Sequence, residues 1–210
     1  MGILDSGGRQ YVKHMMSTES RRIWCDEYTD PAAADVDALV TAYTTSTAIQ
    51  VFSGATLDGI VGAGTLTYAR NVTLTLSSHT DWDATTGVVV GTDIVGRPIT
   101  ENFTIPNNGN TTVVGAKCFL YVTSITIPAQ TGTGGTATFG FGALLGLTRQ
   151  AKVRAGTIGI IREIEAGVVV TTGTFAVPAT GLPFGSYSAS NAPNGSRDYA
   201  LYYELDELVQ

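Results

Sequence analysis

An antiparallel β-sandwich or barrel, jelly-roll-like, with an N-terminal arm and one short helix, is the fold class this sequence predicts. Three observations point there. Apolar residues alternate with threonine and other polar residues over 66–76 and 99–105, the two-residue period of a half-buried strand. Turn clusters rich in Gly, Asn and Pro punctuate these runs, with no helical pattern between them. Hydrophobic residues make up 43% of the 210-residue chain and charged ones only 14%, against about a quarter in soluble domains at large. That balance supports a packed core and is the reverse of a disordered chain.

Residues 1–47 read as the arm and the helix. The arm concentrates charge (Arg9, Lys13, Glu19, Arg21, Arg22) without sustained periodicity, yet carries Tyr11, Trp24 and Tyr28. Charge mixed with large aromatics suggests a segment that docks on a neighbour rather than one that stays in solvent. Asp30 can cap a helix, Pro31 suits its first turn, and three alanines follow. Val36, Leu39, Val40 and Tyr43 fall at helical spacing, so a helix is expected over 31–43.

The β domain then spans 48–210, with its core at 66–147 and C-terminal strands over 153–205. A short strand is expected at 49–52, before a glycine-rich stretch. The run at 66–76 places Leu66, Tyr68, Val72, Leu74 and Leu76 on one face. A hairpin turn at 93–98 follows a strand over 88–93 and leads to one in which Ile99, Glu101, Phe103 and Ile105 share a face. Further strands are expected at 117–127, 136–141, 153–164 and 167–177. The segment beginning at Tyr199 reads as a last strand, returning to the same sheet.

The chemistry of common enzymes is missing from the pattern. The sequence contains no phosphate-binding loop, no G-x-S-x-G elbow and no H-E-x-x-H. His14 and His79 sit in the arm and in a loop. Asp81-Trp82-Asp83 offers too few oxygens for calcium and reads as a polar loop with Trp82 packed inward. Asp93, Glu101, Glu163 and Glu165 read as outer-face charges on alternating strands. Cys25 and Cys118 lie far apart and outside any C-x-x-C pair, so they read as free thiols; a disulfide requires the fold to bring them together. No catalytic, metal or cofactor residue is assigned. A net charge of −6 disfavours nucleic acid as a partner. No stretch is long and apolar enough for a bilayer span or a signal peptide, so a soluble chain outside the membrane is expected.

One longer pattern remains. It runs from Ala69-Arg70-Asn71-Val72-Thr73-Leu74-Thr75 through Val90-Gly91-Thr92-Asp93 and Gly96-Arg97-Pro98-Ile99-Thr100-Glu101-Asn102-Phe103. It continues in Gly115-Ala116-Lys117-Cys118-Phe119 and Val122-Thr123-Ser124-Ile125-Thr126, and ends in Phe139-Gly-Phe-Gly-Ala-Leu-Leu-Gly-Leu. In this order the pieces resemble a β domain of virion structural proteins of tailed bacteriophages, including capsid decoration (cement) proteins. The resemblance spans 68–147; the flanks carry none.

It implies a non-enzymatic protein, assembled in the host cytoplasm, that sits on the capsid surface and stabilises the shell. Its partner would be the major capsid protein or another virion protein, and its oligomeric state a homo-oligomer, a trimer. Tyr11, Arg21, Arg22, Trp24 and Tyr28 are the expected contacts to shell or neighbouring subunit. Alternatives are a head–tail connector, collar or tail protein. In another class stands a carbohydrate- or receptor-binding module that stacks sugars on Trp82, Tyr121, Tyr187 or Tyr202.

Overall fold

The computed structural model describes residues 22–61, 65–77, 80–154, 157–158, 160–171, 173–176 and 184–205. The described chain is mainly β and its sheets are antiparallel, as a sandwich or barrel requires; the larger sheet curls into a half-barrel. That sheet runs β13 (Thr174–Ala176), β14 (Ser186–Ser188), β8 (Thr136–Gly146), β4 (Thr65–Leu76), β7 (Thr112–Ile127), β5 (Thr85–Thr92), β6 (Pro98–Ile105). In addition, β2 (Asp35–Thr44) pairs with β8 and β3 (Gln50–Ser53) with β7. The smaller sheet runs β1 (Ile23–Tyr28), β15 (Tyr199–Glu204), β11 (Ile160–Glu165), β12 (Val168–Val170). A two-stranded ribbon joins β9 (Val153–Arg154) to β10 (Thr157–Ile158).

Strand alternation builds the main core. In β6, Ile99, Glu101, Phe103 and Ile105 are buried while Pro98, Thr100, Asn102 and Thr104 are exposed. Their inward apolar side chains meet Val72, Leu74 and Leu76 of β4, Phe119, Val122 and Ile125 of β7, and Phe139 of β8. A second core lies between the small sheet and the end of β8: Tyr28, Leu145, Tyr187, Tyr199, Leu201 and Tyr203 pack there, with Trp24 and Phe175 against them.

The helix expected over 31–43 is a strand. Residues 35–44 form β2, paired with β8 from Asp35↔Phe141 to Thr44↔Thr136. The spacing of Leu39, Val40 and Tyr43 misleads because β2 is irregular. Its register shifts twice, between Asp35 and Val40 and between Val40 and Tyr43. Each extra residue resets the alternation, so inward side chains fall three apart, as on a helix. Asp30 adopts a positive φ of 44°, a turn conformation that Asp tolerates, instead of capping a helix. Gly140 of β8 admits the bulged strand: a Cβ there would lie 1.8 Å from the Asp35 carbonyl oxygen.

Two other expectations change. The last strand, β15, does not return to the sheet of the 66–147 core but forms the centre of the smaller one, between β1 and β11. The described part of the arm is built in: Ile23–Tyr28 pairs residue for residue with Glu204–Tyr199.

Candidate interaction face

Of the five expected contact residues, Tyr11 and Arg21 lie outside the described residues. Arg22 is exposed at the mouth of β1, where its carbonyl accepts from Leu205 N–H. Trp24 is half-buried; its Nε1 donates to Asp26 Oδ1 at 2.8 Å and to Thr148 Oγ1 at 3.1 Å, and Arg149 lies over its ring. Tyr28 is 3% exposed and donates to the Gly146 carbonyl at 2.9 Å. Trp24 and Tyr28 are therefore core and hydrogen-bonding residues of this chain itself, and Tyr28 offers a neighbour no surface. Both belong to a strand whose inner face the second core covers.

The carboxylates expected on outer faces point inward. Glu163 is wholly buried; it accepts from Gly173 N–H at 2.8 Å, Ser190 N–H at 3.0 Å and the Tyr187 hydroxyl. Glu165 accepts from Asn191 through both backbone and side chain. Asp93 holds its own turn, accepting from Val95 N–H, Arg97 N–H and Arg97 Nε at 2.8–3.0 Å. Glu101 Oε1 accepts from Ala116 N–H at 2.6 Å and Lys117 N–H at 3.1 Å, where β7 bulges. Burial raises the Glu101 carboxyl above its ordinary value, against the lowering effect of those two N–H groups. Such carboxylates fasten loops and bulges. Alternation gave the right period here, but the inward row tolerates a carboxylate wherever a bulge or loop leaves backbone N–H groups without ladder partners.

Asp81 and Asp83 behave likewise. Asp83 accepts from Thr131 N–H and hydroxyl, and Asp81 from Gly134 N–H, while Trp82 between them is fully buried, as expected. His79 lies outside the described residues. Among the described residues no three His, Cys, Asp or Glu side chains cluster as a metal site. Neither cysteine is in a disulfide; Cys118 is buried, which pushes its thiol well up. The proposed sugar platforms Trp82 and Tyr187 are both inaccessible, at 0% exposure; large aromatics are more often core than platform.

Two polar residues in the middle of β4 were not singled out by pattern. Asn71 is fully buried between two bulged neighbours: its Nδ2 donates to Gly115 O at 3.0 Å and its Oδ1 accepts from Leu144 N–H at 3.0 Å. The register shifts of β4 against β7 and β8 fall at this point. Arg70, 3% exposed, donates to the carbonyls of Gly142 and Ala32 beside a hollow of about 190 Å³. Burial lowers its guanidinium to about 10.

What remains on the surface of the large sheet is a face without charge. In β3, β5, β6 and residues 121–127 of β7 the one ionisable acid or base side chain apart from Tyr121 is Glu101, and it points inward. Cross-strand pairing sets Ser53, Ser124, Val90 and Thr100 in one outward row across the four strands. Val51, Thr126, Val88 and Asn102 form the next. Val51 is 56% and Val90 36% exposed. Lys117 stands at the rim, its Nζ donating to the Thr100 carbonyl at 2.6 Å.

No family model matches this chain, and no curated protein or solved structure matches it either. Among the described residues no helix is long and apolar enough to cross a membrane.

Proposed function

We propose that this chain is a non-enzymatic structural protein of a tailed-phage virion, which binds the capsid shell from outside and stabilises it. One observation carries the assembly reading: an outward face four strands wide, made of hydroxyl-bearing and small apolar side chains, on a protein with net charge −6. A face without charge loses little hydration when it is covered, whereas buried ions pay several kcal/mol each. The buried carboxylates support the same reading, because each described one holds the chain's own backbone or side chains. The phage assignment adds the resemblance over 68–147. Its partner on the particle is the major capsid protein, and stabilisation follows from linkage: a protein that binds the expanded shell and not its dissociated subunits shifts the balance toward the shell.

A cryo-electron microscopy map of the virion tests this. The two-sheet fold should be found on the outer surface of the shell, repeated with the lattice. Density in a ring of six or twelve at the neck would transfer the protein to the connector or tail. Absence from the particle would sink the virion reading.

A further inference from the structure

The surface that covers the four-stranded face is not identified by the reading above, and the composition of the face restricts it. We infer that a second copy of this chain packs on the outward face of β3, β7, β5 and β6, face to face, in a two-fold pair. The inference rests on the assembly reading and names its first partner.

Three features support it. The first is charge. Two copies of a chain with net charge −6 repel, and they approach at least cost through a face that carries no carboxylate. An oppositely charged partner would instead be drawn to the acidic parts of the surface. The second is self-complementarity. A hydroxyl both donates and accepts, so a row such as Ser53, Ser124 and Thr100 can bond to its own two-fold image; a row of one charge cannot. Valines at 51, 88 and 90 place small, stiff apolar side chains between the hydroxyls, which lets two sheets approach to the roughly 10 Å of sandwich packing. The third is size. With strands about 4.8 Å apart and about 3.4 Å per residue, the four residues of β3 and the seven or eight of each of the other three strands cover roughly 450 Å² in plan. Two such faces make roughly 900 Å² in plan, near the roughly 1,000 Å² in total that a specific interface clears. An interface built from one patch meeting itself closes as a two-fold pair.

The test is the mass of the purified protein in solution, by sedimentation equilibrium over micromolar concentrations, without any shell present. The native chain should give twice the chain mass. Val90→Glu combined with Thr100→Glu sets carboxylates opposite each other on two adjacent strands of the face and should return the chain mass, with an unchanged far-ultraviolet circular dichroism spectrum. Ser124→Glu, one strand over, repeats the test with β5 and β6 untouched. Thr171→Glu, on an exposed loop, should leave the dimer intact. A native chain that stays monomeric, a mass of three or more chains, or a dimer that persists in the folded Val90→Glu/Thr100→Glu and Ser124→Glu variants would each overturn the inference. The two readings fail separately: a dimer that binds no shell removes the virion role alone, and a monomer that binds shells removes the pairing alone.

Discussion

Asp26 ties three segments of the second core together. It accepts from Trp24 Nε1 on its own strand, from Tyr203 Oη of β15 at 2.8 Å, and from the Thr148 N–H at 2.9 Å and Thr148 hydroxyl beyond β8. Asparagine has one acceptor oxygen where aspartate has two, so Asp26→Asn leaves buried donors facing an amide. That should cost about 2–4 kcal/mol in urea unfolding, since each stranded buried polar group costs roughly 1–3 kcal/mol. A change below about 0.5 kcal/mol, the size of a neutral surface substitution, would show that the hub is not structural.

Glu101 makes a prediction in pH. Its folded-state value is raised by burial, so the folded protein holds this proton more tightly than the unfolded chain does. Its contribution to stability is therefore full below the ordinary glutamate value of about 4.3 and is lost as pH rises through the raised value. Glu101→Gln keeps an oxygen for the Ala116 and Lys117 N–H groups and removes the titration. Relative to that variant, the native chain should lose stability as pH rises from about 4.3 toward neutrality; parallel stability–pH curves would contradict this.

At the scale of elements, β1 is the part most easily misjudged. All six of its residues pair with β15, and Tyr28 sits in the second core. Deleting residues 1–30 should therefore expose β15 and strip protection from its amides in hydrogen exchange, while β4, β7 and β8 stay protected. Unchanged protection in β15 would mean that β1 is dispensable. Regular strands were legible: β6 alternates without interruption, and the turn at 93–98 announced itself through Asp93, Gly96 and Pro98. Irregular ones were not. The shifts in β2 imitated a helix, and those around Asn71 hid why a strand centre should hold Arg70 and Asn71 side by side. A bulge depends on what the neighbouring strand does, and periodicity within one segment does not contain that information. For the same reason Glu163 passed for a surface charge: its donors, Gly173, Tyr187 and Ser190, arrive from later in the chain.

For the molecule as a whole, the division of charge is the property with functional weight. Asp26, Asp93, Glu101, Glu163 and Glu165 turn inward and fasten the chain to itself, and the outward face of β3, β5, β6 and residues 121–127 of β7 is left to uncharged side chains, most of them threonine, serine and valine. That those strands hold a single carboxylate, Glu101, could be read from the sequence; that it turns inward and that four of the strands adjoin and share the face could not. The three-fold arrangement implied by the resemblance and the two-fold pairing inferred from the face differ, and solution mass separates them. The proposed role in a virion is tested most directly by titrating the purified protein onto expanded, empty phage heads that lack it, and measuring both the bound protein and the heat denaturation of the heads. Saturable binding at a fixed number of copies per head is expected, with a rise in the temperature at which the heads disrupt. No binding at excess of a correctly folded protein would contradict it.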